Sequence, residues 1–545
     1  MRVADAVGAA LVRYGVGQVF GVVGSGNFHL TNAMIAAGAR FVAARHECGA
    51  AMMADGYAQT SGRLAAVSLH QGCGLTNALT GIAEAAKSRT PLLVLAADTA
   101  GHAVRSNFRV DQDALAVAVG AVPERVHSPG SALADAARAV RTAVEQRRTV
   151  LLNLPLDVQA ADLPAGVAEP VLAAAPTLPA PSPQALAELA GLLDAARRPV
   201  FIAGRGARSA RPALERLADR CGALLATSAV ARGLFAGSPW NLDVSGGFAT
   251  PLAAELIRGA DLVIAWGCSL TMWTTRRGTL LDPAAAVVQV DVDPAAIGAQ
   301  QDVRLGVVGD VGLTAAALLA GTPERAGWRD EAVRKRIEAE GRWRDVPYEE
   351  WDEPGRIDPR TLSAALDDLL PAQRSVSIDS GNFAGYPSTY LAVPDEAGFC
   401  FTQAFQSIGL GLGTAIGVAL ARPDRLPVAA LGDGGALMGI AELETAARLR
   451  LPLVVVVYDD EAYGAEVHHF GPDGDPLETV VFPPTDIAGI GRGFGCDALT
   501  VRSTADLAGV ADWLAGPRDR PLVIDAKVAA REPSWWLAEA FRGHG

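Results

Sequence analysis

Cysteine is scarce in this chain of 545 residues, which has only six. They are Cys48, Cys73, Cys221, Cys268, Cys400 and Cys496, and no two of them have the spacing of a metal-binding pair. Scattered cysteines without a preceding signal peptide are typical of reduced thiols in a cytoplasmic protein. We therefore expect neither a disulfide framework nor a cysteine-bound metal, and we expect Cys48 and Cys73 to pack as small side chains.

The chain also lacks any apolar run long enough to span a bilayer, although half of its residues are hydrophobic. Its net charge is −13, and its basic stretches are interrupted by Glu rather than gathered into a patch. This balance argues against nucleic acid or an anionic membrane surface as a partner. The length exceeds what one hydrophobic core supports, so the sequence predicts about three soluble domains.

The most informative stretch is a strand, helix and strand pattern in the last third of the chain. An apolar run ends at Gly432-Asp433-Gly434-Gly435, a helical pattern follows, and the apolar run 453–458 leads into Asp459-Asp460. In such a unit, the carboxyl ends of both parallel strands lie on the same edge of the sheet. We therefore expect Asp433 to approach Asp459-Asp460 and to frame one site with them.

The chemistry of this site favours a metal-bound phosphate. Two carboxylate loops offer the hard oxygen ligands that Mg²⁺ prefers, and the glycines beside Asp433 leave room for backbone to approach a diphosphate. Taken alone, a Gly-Asp-Gly after a strand also fits a tight turn that begins a helix. The distance to the second motif adds weight, since Asp460 lies 27 residues after Asp433 and Tyr463-Gly464 follow at once.

These two motifs together resemble those of the thiamine diphosphate enzymes of the acetolactate synthase, benzoylformate decarboxylase and pyruvate decarboxylase group. The resemblance implies that thiamine diphosphate and Mg²⁺ are the cofactors. It further implies that the side chains of Asp433 and Asp460 and the backbone carbonyl of Ala462 bind Mg²⁺. The neighbouring residues Gly432, Gly434, Tyr463 and Gly464 are then expected to contact the cofactor.

One position departs from the family pattern. The family has Asn-Asn where this chain has Asp459-Asp460. A neutral amide ligand is thus replaced by an anion that faces an anionic diphosphate, and the like charge disfavours binding. The sequence therefore predicts a weaker cofactor complex, or one more dependent on divalent ion, than in a relative with Asn.

The segment around Glu47 is the second informative stretch. Glu47 lies in Arg45-His46-Glu47, ahead of a run of small and apolar residues. From the residues alone it is either a surface or capping carboxylate or a catalytic one. The segment resembles the family's cofactor-activating motif, which implies that Glu47 hydrogen-bonds the aminopyrimidine ring. A glutamate with a raised pKa suits such proton chemistry near neutrality.

Three further residues are predicted as catalytic. His70 follows a predicted strand and is either a histidine tied down at the strand end or a proton carrier, as in benzoylformate decarboxylase. Gln112 lies in a segment similar to a degraded form of the family's substrate-side Asp-Ala-Phe-Gln. Glu466 is six residues after Asp460, as is a catalytic glutamate of pyruvate decarboxylases, and it is otherwise a solvated loop carboxylate.

The pattern of strands and helices predicts an α/β fold with three doubly wound parallel-sheet domains. Their predicted ranges are 1–170, a pyrimidine-binding domain, 185–320, a central domain, and 355–545, a diphosphate- and Mg-binding domain. In the central domain, Gly204-x-Gly206 is a weak dinucleotide signal because the third glycine is absent. In the acetolactate synthases that the chain resembles, this domain binds FAD, whereas in many decarboxylases of the family it is empty. FAD is therefore possible but not expected.

Three more residues of the C-terminal domain are predicted to contact the cofactor. Gly381 and Asn382 follow the domain's first strand, where glycine and backbone donors suit a phosphate. Ile408 lies 25 residues before Asp433 and from the residues alone is a core side chain. Resemblance assigns it as the apolar wedge between the two cofactor rings, and a β-branched side chain is stiff enough for that task.

The resemblance implies a decarboxylase or carboligase that acts on a small 2-oxo acid, with an aldehyde or keto acid as a possible acceptor. His70 and Glu466 favour simple decarboxylation, whereas the overall pattern favours acetolactate-synthase-like carboligation. In the family, the glutamate and the metal loop of one site come from different subunits, which implies a homodimer or homotetramer. The alternatives are a flavin- or nicotinamide-dependent oxidoreductase built on the central domain, and a non-catalytic homologue.

Replacement of Glu47 by Gln tests its assignment. We expect Glu47→Gln to keep the fold and to abolish turnover, because the amide cannot exchange the proton needed to activate the cofactor. The measurements are the far-ultraviolet circular dichroism spectrum and the release of CO₂ from a 2-oxo acid. Retention of most of the activity would show that Glu47 has another role.

Overall fold

The computed structural model of the protein describes residues 1–172 and 177–537. Three six-stranded sheets form the framework, and every pair of neighbouring strands is parallel. Helices flank each sheet, so the prediction of three α/β domains is confirmed. Residues 173–176, between the predicted ranges 1–170 and 185–320, and the last eight residues of the predicted range 355–545 lie outside the described residues.

The N-terminal sheet has the strand order β2-β1-β3-β4-β6-β5. Its strands are β1 (Gln18–Gly21), β2 (Arg40–Ala43), β3 (Ala65–Leu69), β4 (Leu92–Asp98), β5 (Val122–Arg125) and β6 (Thr149–Pro155). The helices are α1 (Val3–Arg13), α2 (Phe28–Ala36), α3 (Glu47–Ser61), α4 (Cys73–Lys87), α5 (Gln112–Ala118), α6 (Ala132–Glu145) and α7 (Leu156–Ala160). The central strands β3, β4 and β6 are buried along their whole length, as expected for a parallel sheet covered on both faces.

The central sheet has the order β12-β11-β10-β7-β8-β9. Its strands are β7 (Pro199–Ala203), β8 (Leu224–Thr227), β9 (Asn241–Val244), β10 (Leu262–Trp266), β11 (Ala286–Asp291) and β12 (Leu305–Val308). The helices are α8 (Pro183–Ala195), α9 (Arg211–Cys221), α10 (Pro251–Arg258), α11 (Met272–Thr275) and α12 (Val311–Leu319), and α13 (Glu331–Glu340) follows in the connector.

The C-terminal sheet has the order β14-β13-β15-β16-β18-β17, which repeats the topology of the N-terminal sheet. Its strands are β13 (Arg374–Ile378), β14 (Phe399–Phe401), β15 (Leu426–Gly432), β16 (Val454–Asp459), β17 (Asp497–Val501) and β18 (Leu522–Lys527). The helices are α14 (Pro359–Leu369), α15 (Gly385–Tyr390), α16 (Gly411–Ala421), α17 (Asp433–Gly439), α18 (Glu442–Arg448), α19 (Gly464–Phe470), α20 (Ile487–Gly493) and α21 (Ala508–Ala515). Among the described residues, none of the helices combines the length and the apolar character of a bilayer span.

The helical pattern after Asp433 forms two short helices instead of one. The first helix, α17, ends at Gly439, and α18 begins at Glu442. Glycine weakens a helix, and a Cβ atom at Gly439 would lie 3.1 Å from the carbonyl oxygen of Gly409. The break therefore accommodates the loop that contains Gly409.

The N-terminal and C-terminal domains of the chain are joined by the crossing of helices α3 and α16. One hydrophobic cluster spans the crossing and includes Met53 of α3 and Ile416 of α16. Glycines let the two backbones approach closely. A Cβ atom at Gly56 would lie 2.6 Å from the carbonyl oxygen of Thr414, and one at Gly417 would lie 2.0 Å from that of Met53. Only glycine permits this separation between the helices.

Gly417→Ala tests how strongly the two domains depend on this crossing. The added methyl group collides with the backbone of Met53, so we expect a loss of about 2 kcal/mol or more in the free energy of unfolding. Gly191→Ala on α8 is the matched control, because a Cβ atom there has no neighbour within 4 Å. The control is expected to be neutral or slightly stabilising, since alanine favours a helix. Equal urea midpoints for the two variants would contradict this account of the crossing.

Candidate active site

The proposed metal site lies at the carboxyl ends of β15 and β16. In the register of this pair, Gly432 stands opposite Tyr458, so the loops that follow the two strands begin side by side. Asp433 is buried and shares a hydrogen bond with Asp460. The sequence predicted this approach, and the structure brings the two carboxyl groups together.

Burial and mutual repulsion dominate the electrostatics of the pair. Burial raises the pKa of Asp433, and the charge of Asp459 raises it further. Burial and then the charge of Asp433 raise the pKa of Asp460 well above its usual range. Two carboxyl groups that both resist ionisation are stabilised as carboxylates by a nearby cation, so this donor set fits Mg²⁺.

The second Asp of the motif, Asp459, already has a cationic partner within the protein. Its carboxylate forms a buried ion pair with the Lys527 ammonium group, which also lies 3.2 Å from an oxygen of Asp525. The same ammonium group donates a hydrogen bond of 3.0 Å to the carbonyl oxygen of Thr485. Asp459 and Asp460 thus differ in their surroundings, and the sequence did not reveal the pairing of Asp459 with Lys527.

The predicted diphosphate-binding residues surround the two carboxylates. A Cβ atom at Gly464 would lie 2.2 Å from Oδ2 of Asp460 and 3.4 Å from the Cβ atom of Asn382, and one at Gly434 would lie 2.5 Å from the Tyr463 ring. Because Gly434 and Gly464 have no side chains, their backbone stays accessible beside the Tyr463 ring and the Asp460 carboxylate. Among the described residues, no cluster of three or more His, Cys, Asp or Glu is arranged for a metal ion. A divalent ion would accordingly use two carboxylates, the Ala462 carbonyl and the diphosphate.

The loop after β13 closes this part of the site from another side. Gly381 has φ of +142°, which favours glycine, and a Cβ atom there would lie 3.0 Å from the Phe383 ring. A Cβ atom at Gly432 would lie 3.2 Å from the same ring. The Asn382 side-chain oxygen accepts hydrogen bonds from the backbone and the hydroxyl of Ser534, so the segment near the C-terminus is anchored to this loop.

A cavity of about 290 Å³ opens beside Asp433. Its lining combines carboxylates at one end with apolar side chains: Asp433, Gly434, Leu437, Met438, Asp459, Glu461, Tyr463, Phe482, Pro483 and Thr485. Ile408 precedes Gly409, where a Cβ atom would lie 2.9 Å from the Cβ atom of Met438. The predicted wedge residue is therefore adjacent to the wall of this cavity, and Glu466 is exposed on α19 after Tyr463-Gly464.

Glu47 begins helix α3 in the N-terminal domain. His46 is the N-cap residue, and its Nδ1 atom accepts a hydrogen bond of 3.1 Å from the backbone N–H of Cys48. The half-buried Glu47 carboxylate accepts a hydrogen bond of 3.0 Å from the Asn77 amide. Glu47 is thus not the capping residue, which was one of the alternatives, and its carboxylate is oriented by a neighbour that the sequence reasoning did not single out.

His70 lies near Glu47 at the same edge of the N-terminal sheet, since a Cβ atom at Gly74 would lie 3.2 Å from the Cβ atom of His70 and 3.7 Å from Oε1 of Glu47. Its Nδ1 atom is 3.0 Å from the carbonyl oxygen of Gln71, and its Nε2 atom is 3.4 Å from the Ser25 hydroxyl. A carbonyl oxygen only accepts, so Nδ1 carries a proton and Nε2 of the neutral ring is the acceptor for Ser25. Ser25 was missed because a Gly-Ser-Gly turn has no spacing that ties it to a histidine 45 residues later.

Gln112 is buried, and its side chain is fully used inside the N-terminal domain. Its amide oxygen accepts a hydrogen bond of 2.9 Å from the backbone N–H of Gly72. Its amide nitrogen donates to the carbonyl oxygen of Ala97 and to Asn153. These contacts hold the turn between β3 and α4 in place, which suits a positioning residue.

The predicted residues thus form two groups within one chain. Glu47 and His70 lie at the edge of the N-terminal sheet, whereas Asp433, Asp460 and Ile408 lie at the edge of the C-terminal sheet. Among the described residues, Glu47 does not line the cavity beside Asp433. The family resemblance implies that the two groups meet between two chains.

The glycines of the central domain serve internal packing. A Cβ atom at Gly204 would lie 2.1 Å from the carbonyl oxygen of Gly267, and one at Gly206 would lie 2.9 Å from the Cα atom of Gly267. The loop after β7 therefore packs tightly against the loop after β10. Arg205, between the two glycines, donates a hydrogen bond to the carbonyl oxygen of Ser88 in the N-terminal domain.

Comparison with known proteins agrees with this fold and site. Sequence models of the thiamine pyrophosphate enzyme family match the chain in three parts: the N-terminal TPP binding domain at residues 1–116, the central domain at 186–318, and the C-terminal TPP binding domain at 379–526. Three α/β domains with a carboxylate pair at a sheet edge define an enzyme of the thiamine diphosphate class. The chain belongs to the thiamine pyrophosphate enzyme family.

Several relatives match over almost their whole length. A sulfoacetaldehyde acetyltransferase of Rhodobacter capsulatus is 30% identical over 540 residues, covering 93% of this chain and 90% of the relative. A probable 2-ketoarginine decarboxylase of Pseudomonas aeruginosa is 33% identical over 521 residues, covering 92% and 89%. A benzoylformate decarboxylase of the same organism is 30% identical over 544 residues, covering 96% and 98%. The protein is thus a thiamine diphosphate-dependent carbon–carbon lyase or transferase, and thiamine diphosphate with Mg²⁺ is its cofactor set.

Asp460→Asn tests whether the negative charge of Asp460 weakens cofactor binding. We expect the variant to bind thiamine diphosphate more tightly at fixed Mg²⁺, because one negative charge facing the diphosphate is removed. Asp459→Asn is the matched control, since it removes a charge that is already paired with Lys527. The control is expected to lower the unfolding temperature and not to improve affinity, because it leaves a buried ammonium group without its main partner.

The measurement is a calorimetric titration of each variant with the cofactor at constant Mg²⁺. Unchanged or weaker affinity in Asp460→Asn would contradict the prediction. Tighter binding in Asp459→Asn would show that Lys527 does not screen that charge.

Proposed function

We propose that this protein decarboxylates a small 2-oxo acid with thiamine diphosphate and Mg²⁺ and releases the corresponding aldehyde. The benzoylformate decarboxylase and 2-ketoarginine decarboxylase relatives support this proposal. Transfer of the product to an acceptor is the second candidate, and it is supported by the sulfoacetaldehyde acetyltransferase relatives and by a putative acetolactate synthase relative. The arrangement of the proton-carrying side chains favours the first.

The bound cofactor supplies an electron sink for the electrons released when CO₂ leaves the substrate. The protein has to hold that cofactor and to control protons around it. Asp433, Asp460 and the Ala462 carbonyl are suited to bind Mg²⁺, and Gly434 and Gly464 would give the diphosphate access to backbone. Ile408 would support the cofactor rings as an apolar side chain.

The pairing of Ser25 with His70 is the observation that carries the proposal. The Gln71 carbonyl keeps a proton on Nδ1 of His70, so Nε2 can take a proton from the Ser25 hydroxyl or return one to it. Replacement of CO₂ by hydrogen requires one proton to be delivered to the carbon that lost CO₂. A serine and histidine pair beside Glu47 can deliver that proton when the ring carries a proton on Nε2 as well, whereas transfer to a second carbonyl places the proton on the acceptor oxygen instead.

The remaining predicted residues have supporting roles in this proposal. Gln112 positions the turn after His70 through its hydrogen bond to the backbone of Gly72. Glu466 is exposed at the start of α19, one turn after the metal loop, and is available as a second acid or base. Burial lowers the pKa of the neighbouring His468, which therefore remains neutral near pH 7.

The packing of the central domain favours an enzyme that does not use a flavin. Gly204 and Gly206 are occupied by close packing against Gly267, so the backbone that would approach a dinucleotide already faces another loop. Arg205 is directed to the N-terminal domain through its bond to Ser88. A yellow purified protein, or hydride transfer without thiamine diphosphate, would favour an oxidoreductase instead.

We further propose that the active site forms between two copies of this chain. Large apolar side chains are exposed around both groups of site residues. At the N-terminal edge they are Val23, Phe28, Val104, Phe108 and Val110, and at the C-terminal edge they are Phe405, Leu437, Met438, Tyr463, Phe470, Val481 and Phe482. Exposed apolar surface of this extent is typical of an interface. A second copy that covers it would bring its Glu47 towards the Asp433 cavity.

A product assay tests the reaction. The protein is incubated with benzoylformate or with pyruvate, thiamine diphosphate and Mg²⁺, and the products are separated by chromatography. We expect free aldehyde and CO₂ in equal amounts, and a rate about 10²-fold lower in His70→Ala, since one proton carrier is lost. The matched control is His127→Ala, because His127 is a largely exposed histidine that pairs with Asp135. A hydroxyketone as the main product, with no loss in His70→Ala, would favour transfer.

Mixing two inactive variants tests the shared site. We expect Glu47→Gln and Asp433→Asn to be inactive alone. In a mixed dimer of the two, one site has both wild-type residues if the site is shared between chains. Co-expression should then restore about a quarter of the wild-type activity, from random pairing of equal amounts. No restored activity in a mixed dimer that is shown to form would place the site within one chain.

A further inference from the structure

Two buried glutamates cross the boundary between the N-terminal and C-terminal domains in opposite directions. Glu84 of helix α4 is fully buried, and its carboxylate reaches the C-terminal domain. One oxygen accepts a hydrogen bond of 3.0 Å from the backbone N–H of Ala404, and the other accepts one of 2.6 Å from that of Phe405. These two residues begin the loop that leads to Ile408.

Glu442 of helix α18 makes the reverse contact. It is buried, and its Oε1 atom accepts hydrogen bonds of 3.1 Å and 3.0 Å from the backbone N–H groups of Arg45 and His46. Its other oxygen accepts a bond of 2.7 Å from the Thr445 hydroxyl. Arg45 and His46 immediately precede Glu47, so this carboxylate holds the start of helix α3.

Each glutamate is built into the structure on both sides of the boundary. A Cβ atom at Gly49 would lie 2.3 Å from Oε1 of Glu442, so the first turn of α3 is shaped to receive that side chain. At the other end of the Ile408 loop, Asp379 accepts hydrogen bonds from the backbone N–H groups of Gly409 and Leu410. The loop is therefore held at one end by its own domain and at the other by Glu84.

We propose that Glu84 and Glu442 are reciprocal positioning residues, each holding the cofactor-facing segment of the opposite domain. Glu84 fixes the backbone that carries Ile408, and Glu442 fixes the backbone that carries Glu47. That these two segments face the cofactor rests on the proposed function. The hydrogen bonds themselves do not depend on it.

Charged groups from several elements lie around the contact that Glu84 makes. The carboxylate of Asp55 faces it from α3, Arg205 faces it from the central domain, and Lys87 of α4 lies over the Phe405 ring, 5.5 Å from the ring centroid. Burial and the charge of Asp55 raise the pKa of Glu84 to about 7, against the two amide donors and Arg205. Packing alone does not require an acidic side chain at this position, since an apolar side chain would avoid the free-energy cost of burying a charge.

Hydrogen exchange of the protein without added cofactor tests the proposal. In Glu84→Gln, one of the two amides of the Ile408 loop faces an N–H group instead of an oxygen. We expect exchange of segment 402–410 to rise about tenfold or more while segment 44–49 stays at the wild-type rate. In Glu442→Asp, the shortened side chain withdraws from Arg45 and His46, so the pattern should reverse.

Two further variants separate positioning from general destabilisation. Glu442→Gln keeps one oxygen in contact with both amides, so it should restore wild-type exchange in segment 44–49. Asp135→Asn is the matched control, because Asp135 is a buried carboxylate that accepts a backbone N–H, that of His127, within its own domain. Its effect should remain near residues 125–138. If Glu84→Gln does not fold, Glu84→Asp is used, with the same expected pattern.

The outcomes are distinct. Increased exchange confined to the segment of the opposite domain supports the proposal, whatever reaction the enzyme catalyses. Unchanged exchange in both segments, or an even increase over all three domains, overturns it. Because no cofactor is present, failure of the decarboxylase assay does not affect this result.

Discussion

Two acidic side chains held together out of water are the constraint on which the rest of this active site depends. Asp433 and Asp460 are brought side by side by the register of two neighbouring parallel strands, and neither ionises readily there without a cation. Asp459 pairs with Lys527, and its charge adds to the raised pKa of both carboxyl groups. Asp433 and Asp460 form a compact pair of oxygen donors, surrounded by glycines that leave backbone accessible. This combination is suited to a divalent ion that carries a diphosphate, and the family assignment agrees with it.

The second constraint is the contact between the two outer domains of one chain. Helices α3 and α16 cross at the distance that Gly56 and Gly417 allow, and the buried carboxylates of Glu84 and Glu442 join loops across the same boundary. The backbone before Glu47 is thereby held relative to the C-terminal domain, and the backbone before Ile408 relative to the N-terminal domain. If the active sites form between chains, each chain contributes these two segments to different sites, while the boundary between its own outer domains holds both segments.

Much of the fold and part of the site could be predicted from the sequence. Continuous apolar runs bounded by glycine indicated buried parallel strands, and the rule for their carboxyl ends predicted the approach of Asp433 to Asp460. The break between α17 and α18 was not predicted, because it depends on the contact of Gly439 with a distant loop. Lys527 was not predicted either, since it lies 68 residues from Asp459 and no local pattern connects them.

The sequence by itself determined the α/β class, the strand ends that carry the carboxylates, and the family, because these depend on local periodicity and on motifs of fixed spacing. Only the tertiary structure decided which carboxylate pairs with Lys527, which hydroxyl faces His70, and which glutamates hold the opposite domain. Those pairings join residues that are far apart in the chain, such as Glu84 and Ala404, which are 320 positions apart. Whether residues so far apart in the chain are buried and hydrogen-bonded together depends on how the three domains pack against one another.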